Sequence, residues 1–269
     1  VWCMQCFNGL VALGCANGRL EVWCQNGELR CLHVDGTNVG IVKLKTCGEY
    51  IVCARLNGVL ETFQIQTDYG NAATLHGQLY SRRSVIDDHF ESDYATRWRL
   101  VRLNWARAHQ QPITILEASA DGSRVVTGSQ DHCIKVWRLE VLTPVFSLHG
   151  HCGPITALFI DNAYPCSASG SGSQDGMLCM WDLSSGTCVY SLQAHDGSVS
   201  LLTYTSSYVI SLGADDKLCV WERFQGHLLN TLSLTRVALC GSLSMLNDRL
   251  LVTSRQGSLV VWDVRTGES

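Results

Sequence analysis

The sequence holds 269 residues, 46% of them hydrophobic and only 16% charged, with a formal net charge of −4. That composition supports a large buried core and excludes disorder as the main state. No apolar run reaches the roughly 18 residues a membrane-spanning helix needs, and the acidic balance argues against a dedicated nucleic-acid binder.

Six apolar runs ending in an aromatic follow one another: Leu20–Trp23, Leu60–Phe63, Ile134–Trp137, Leu178–Trp181, Leu218–Trp221 and Leu259–Trp262. Their aromatics lie 40, 74, 44, 40 and 41 residues apart, so one gap is about 33 residues too long. A period near 40–45 residues is that of a four-stranded propeller blade. Asn17-Gly18, Asn57-Gly58, Asp175-Gly176 and Gln256-Gly257 mark the turn before a third strand, because these residues tolerate the positive φ of a tight hairpin. In the second unit, residues 66–99 interrupt the repeat between the third and fourth strands. This stretch passes from Asp87, Asp88, Glu91 and Asp93 to Arg97, Arg99, Arg102 and Arg107, with Trp98 and Trp105 among the arginines. Arginine with tryptophan is the composition of an interface hot spot. The competing reading makes Leu100–Trp105 the outer strand of the unit, its edge protected by charge.

In the fourth unit, strands are expected at Ile155–Ile160, Tyr164–Ser169, Met177–Trp181 and Val189–Leu192. Gly170-Ser171-Gly172-Ser173 between them reads as a hairpin with two extra small residues, since no helix and no Gly-Lys-Ser/Thr follows to make a phosphate loop. The sixth unit stops without an outer strand, and helical periodicity is absent throughout. The chain opens at Val1 without a methionine or a charged leader, so no signal peptide is read and a longer parent protein is expected.

Units three to five share a further pattern. Asp131, Asp175 and Asp215 each lie six residues before the aromatic, with Thr127, Ser171 and Ser211 four residues earlier and His109, His151 and His195 upstream. With Trp137, Trp181 and Trp221, they resemble the WD-repeat family, whose blades tie these side chains into one network. A half-buried carboxylate and an indole N–H both need partners. Units one, two and six carry Asn17, Asn57 and Gln256 instead, and Phe63 replaces a tryptophan; they should lean on packing. The fold expected is all-β: one WD40 β-propeller over residues 1–269, six blades visible, the last incomplete, with a further blade supplied upstream.

The recurring Ser, His and Asp are not read as a hydrolase triad, because a nucleophile site is built once and not once per repeat. No nucleophile elbow is present. Most of the 14 cysteines sit inside apolar runs, such as Cys53, Cys179 and Cys219, and behave as small buried hydrophobes. Cys3-x-x-Cys6 has no second pair, and His149, His151 and Cys152 lack zinc spacing, so no metal or cofactor is assigned. Partner contacts are expected on the face carrying the turns between second and third strands. Arg19, Arg55, Lys217 and Arg255 would form a basic arc there for an acidic segment, with Gln130, His132 and Gln174 beside them. Arg97, Trp98, Arg99 and Arg102 form the second candidate surface.

Several stretches in order resemble the C-terminal propellers of the SREBP cleavage-activating protein (SCAP) family. They are Gly18–Trp23, Ala54–Gly58, Ala108–Thr114, Val126–His132 and Gln174–Gly176, together with the interruption in the second visible blade. The resemblance implies a non-catalytic propeller on the cytosolic face of the endoplasmic reticulum membrane, which itself does not insert. It would bind the C-terminal regulatory domain of the SREBP transcription factor precursor. The parent would sense sterol through separate transmembrane helices and travel to the Golgi in COPII vesicles, linking the chain to cholesterol and lipid metabolism. The alternative is another WD-repeat scaffold, such as the substrate receptor of a ubiquitin ligase.

Overall fold

A computed structural model describes residues 1–68, 97–161, 168–234, 240–255 and 258–268. Every helix or strand among them is a strand. Blade 1 comprises β1 (Cys3–Phe7), β2 (Leu10–Gly14), β3 (Leu20–Cys24) and β4 (Leu29–His33). Blade 2 comprises β5 (Ile41–Cys47), β6 (Tyr50–Arg55), β7 (Val59–Asp68) and β8 (Arg97–Arg107). Blade 3 is β9 (Ile113–Ala118), β10 (Arg124–Ser129), β11 (Ile134–Arg138) and β12 (Thr143–Leu148). Blade 4 is β13 (Ile155–Asp161), β14 (Ala168–Ser173), β15 (Met177–Asp182) and β16 (Thr187–Gln193). Blade 5 is β17 (Val199–Tyr204), β18 (Tyr208–Gly213), β19 (Lys217–Glu222) and β20 (Leu228–Ser233). Blade 6 holds β21 (Cys240–Met245), β22 (Leu250–Arg255) and β23 (Ser258–Asp263), and so lacks a fourth strand among the described residues. Each sheet is an antiparallel meander.

Two local devices recur. In blades 1 to 5 a register shift between third and fourth strands falls immediately before the aromatic, at Trp23, Phe63, Trp137, Trp181 and Trp221. Such a bulge bends the strand and re-aims the side chain that follows. The turn residue five positions before each of these aromatics has positive φ: Gly18 (81°), Gly58 (81°), His132 (66°), Gly176 (79°) and Asp216 (61°). Glycine adopts that conformation freely, whereas His132 and Asp216 hold it at a cost of about 1 kcal/mol or more.

Apolar side chains gather in five clusters, one between each successive pair of blades. Blades 1 and 2 enclose Leu20, Val22, Ile41, Ile51 and Phe63, and blades 2 and 3 enclose Val52, Leu60, Ile113, Leu116 and Trp137. The next three clusters centre on Trp181, Trp221 and Leu251. Full burial of each large side chain contributes roughly 1.5–3 kcal/mol. No such cluster among the described residues joins blade 6 to blade 1. Apolar side chains on the outward faces of these two blades stay open: Met4 is 63% exposed and Leu259 73%.

The fourth blade corrects one expectation. Its β14 runs Ala168–Ser173, so the Gly-Ser-Gly-Ser run is strand and not a hairpin, while residues 164–167 of the strand expected at 164–169 lie outside the described residues. A Cβ on Gly170 would lie 2.0 Å from Phe159 Cε1, and one on Gly172 would lie 2.4 Å from Val199 Cγ1. The glycines are there because neighbouring side chains occupy the space a Cβ would need. The second blade corrects another: β7 and β8 stay paired from Val59↔Arg107 out to Asp68↔Arg97. Strand pairing therefore takes in both ends of the expected insertion at 66–99, and the interior of that stretch lies outside the described residues.

Candidate interaction surface

The hydroxyls of blades 3 to 5 are the hubs of three buried networks. Trp137 Nε1 donates to Thr127 Oγ1 at 3.0 Å, and His109 Nε2 lies 2.8 Å from the same oxygen. His109 Nδ1 sits 3.0 Å from Asp131 Oδ2. Trp181, Ser171 and His151 repeat this at 2.9 and 2.8 Å, as do Trp221, Ser211 and His195 at 2.9 and 2.7 Å. His195 Nδ1 meets Asp215 at 2.9 Å, while His151 Nδ1 stands 3.4 Å from Asp175. A hydroxyl that accepts from the indole gives its own proton to the imidazole, leaving Nδ1–H for the carboxylate. Burial lowers the pKa of all three histidines, against the opposing pull of their aspartates. Burial alone would raise the aspartates, but the histidines and the backbone N–H groups of the turns outweigh it and hold them below the usual carboxylate range.

Blades 1 and 2 depart from the expected reliance on packing. Glu21 takes the indole N–H of Trp23 at 3.0 Å and the Arg19 guanidinium at 2.6 Å. In blade 2, Glu61 is 2% exposed and binds Arg55 Nε at 2.5 Å and Arg102 Nη1 at 2.9 Å. Arg55 reaches on to Asp35 at 2.9 Å and to the Val39 carbonyl at 2.8 Å, stitching blade 2 to the segment that leads out of blade 1. Asparagine keeps the turn role of the missing aspartate: Asn17 and Asn57 side chains accept N–H bonds two residues on. It cannot supply the charge, and a glutamate on the third strand does.

This changes the basic arc. Arg55 is 2% exposed and committed to two carboxylates, so it is not a surface cation. Arg19 is tied to Glu21, and Lys217 lies 3.4 Å from Asp196 and 3.8 Å from Asp215. The Arg255 side chain lies outside the described residues. Gln130, His132 and Gln174 are exposed on the turn face. On β8, Trp98 is half-buried in the cluster between blades 1 and 2, with the Arg30 guanidinium 6.0 Å from its ring. Arg99 and Arg102 are exposed, and Arg97 is described as a strand position only. A polar cleft of about 590 Å³ between blades 2 and 3, lined by Arg107, Lys135 and His149 among others, was not foreseen.

The sequence model of the family described as "SCAP Beta-propeller" matches residues 1–269. The chain belongs to the SCAP β-propeller family. It is 36% identical over 252 residues to the sterol regulatory element-binding protein cleavage-activating protein of Xenopus laevis, covering 89% of this chain and 18% of that protein. It is also similar to autophagy-related protein 16 of Arabidopsis thaliana, 28% identical over 169 residues, which is 61% of this chain and 33% of that one. Among solved structures, the computationally designed Ika8 protein superposes with a TM-score of 0.74 at 24% identity, over 97% of this chain and 70% of that one; that likeness shows the fold alone.

Within this SCAP-type propeller the hydroxyls of the Ser/His/Asp sets are buried. Thr127, Ser171 and Ser211 are each 0% exposed and accept an indole N–H. No group of three or more His, Cys, Asp or Glu among the described residues is placed to hold a metal ion. His149 pairs with Cys133 at 3.2 Å while His151 turns inward to Ser171. No helix among the described residues is long and apolar enough to cross a membrane. The sequence reading missed Glu21, Glu61 and Thr253, the last accepting the Trp262 N–H at 3.0 Å. The signal for the glutamates was present: a lone acid directly after a leucine and two positions before the aromatic.

Proposed function

We propose that this chain is the partner-binding propeller of a sterol-regulated escort protein. It holds the C-terminal regulatory domain of SREBP on the cytosolic face of the endoplasmic reticulum, for COPII transport to the Golgi and activation of lipid-synthesis genes. It performs no chemistry and uses no cofactor. Sterol sensing and membrane insertion belong to other parts of the parent protein, and a further blade covers the open faces of blades 6 and 1.

The match of the SCAP propeller family to all 269 residues carries this reading. The face bearing the turns between second and third strands supports it. That face is preformed by five interblade clusters, so binding costs the propeller little conformational entropy. It presents Gln130, His132 and Gln174, with His132 held at a φ of 66° where three blades have glycine. Backbone strain concentrates at ligand contacts. The test is titration of the SREBP regulatory domain into wild type and into Gln174→Glu, His132→Gly and Lys217→Glu. Loss of affinity of tenfold or more in at least two variants is expected, at about 1.4 kcal/mol per tenfold. Wild-type failure to bind leaves a WD-repeat scaffold for another complex.

A further inference from the structure

The outer strand of blade 2 differs from every other outer strand among the described residues. β8 has 11 residues, whereas β4, β12, β16 and β20 have five to seven. At about 3.3 Å per residue it offers roughly 36 Å of edge. It holds four arginines, no acidic residue and no proline. Natural edge strands are usually short, or broken by proline, to prevent pairing; this one is long, cationic and carries a tryptophan that is 64% exposed.

The register explains how its side chains are presented. Arg102, Trp105 and Arg107 stand opposite Phe63, Glu61 and Val59, three alternate positions of β7 and therefore one face of the sheet. The bulge at Leu103 brings this about, since without it Arg102 and Trp105 would fall on opposite faces. Arg102 keeps 40% of its side chain exposed while bonding Glu61. Trp105 and Arg107 make no ion pair or ring contact among the described residues.

We propose that β8 is a docking strand for an extended acidic peptide segment of a partner protein. The segment adds as a further strand to the edge of β8 that pairs with no described strand, and it carries acidic, apolar and acidic side chains at alternate positions. Main-chain bonds to the edge supply affinity, and alternate side chains set the register. The guanidiniums of Arg102 and Arg107 meet the two carboxylates, and the Trp105 ring covers the apolar side chain between them. A nucleic acid strand fits less well, because the chain is acidic overall and of the tryptophans on this face only Trp105 is widely exposed, Trp98 being half-buried in the cluster between blades 1 and 2. The surface is argued from β8 alone and stands apart from the turn face assigned to SREBP.

A fluorescein-labelled peptide of about nine residues, centred on Glu-Thr-Leu-Thr-Glu, is titrated with the protein by fluorescence anisotropy. A second peptide of the same composition has its two glutamates adjacent. The alternating peptide is expected to bind at least about tenfold tighter, and to weaken by about tenfold between about 50 and about 500 mM salt. Arg107→Glu and Trp105→Ala each reduce binding by about tenfold or more, while Lys43→Glu, an exposed charge reversal elsewhere, does not. Thermal melts confirm that the variants are folded. Equal binding of the two peptides, binding unchanged in Arg107→Glu, no binding, or tighter binding of a single-stranded oligonucleotide each overturns the proposal.

Discussion

Replacing Arg55 by alanine separates a structural arginine from a surface one. Its side chain is 2% exposed and serves Glu61, Asp35 and the carbonyls of Val39 and Gly18. In its absence Glu61, itself 2% exposed, keeps Arg102 at 2.9 Å, and Asp35, 9% exposed, keeps Thr37. Removing one member of a buried ion pair leaves charge uncompensated and costs about 3–5 kcal/mol, against a total stability on the order of 5–15. An exposed arginine would cost under about 1 kcal/mol. The assay is urea unfolding, with the change read from the midpoint at constant slope. Arg55→Met combined with Glu61→Met is expected to lose less than Arg55→Met alone, because Glu61, the more deeply buried of its two carboxylates, is then not left without Arg55. A loss below about 1 kcal/mol for Arg55→Ala, or a double variant worse than the sum of its singles, would refute the reasoning.

Thr127→Val orphans both the Trp137 N–H and His109 Nε2, with an expected loss of about 1–3 kcal/mol by the same unfolding assay and no change in partner affinity. Gly172→Ala is expected to cost about 1–3 kcal/mol through overpacking against Val199, and pairing it with Val199→Ala should recover part of the loss. His132→Gly is expected to raise the unfolding midpoint by relieving positive φ, by about 1 kcal/mol, even as it weakens partner binding. Stability should also fall with pH. The folded histidines His109, His151 and His195 bind protons less readily than the unfolded chain, so stability is full above their unfolded pKa near about 6.5. It drains as pH falls toward the lowered folded values, each contributing a slope of up to about 1.4 kcal/mol per pH unit. The depressed aspartates add a second loss at lower pH. A flat profile between about pH 7 and 5 would contradict buried neutral imidazoles.

The blades were legible because each repeats one pattern: a turn pair, an apolar run and an aromatic at a fixed spacing. Asp131, Thr127, His109 and Trp137 could be read together since three units carry the set. Arg55 could not be read, because its partners Asp35 and Glu61 come from other segments, and sequence gives no measure of burial for a turn arginine. Gly170 and Gly172 misled for a related reason. Small residues mark turns when local conformation demands them, but here Phe159 and Val199 demand them across the packing. The length of β8 was hidden because Gln66–Asp68 carries no apolar alternation, its pairing with Arg97–Arg99 being fixed by extension of a hairpin already in register.

The central claim is that a preformed propeller face holds the SREBP regulatory domain. Amide hydrogen exchange of the protein, with and without that domain, tests it most directly. The account predicts slowed exchange in the turns around Gly18, Gln130, His132, Gln174 and Lys217, with strand interiors unchanged. Exchange that the domain leaves unaltered throughout, or slows only along β8, would contradict it.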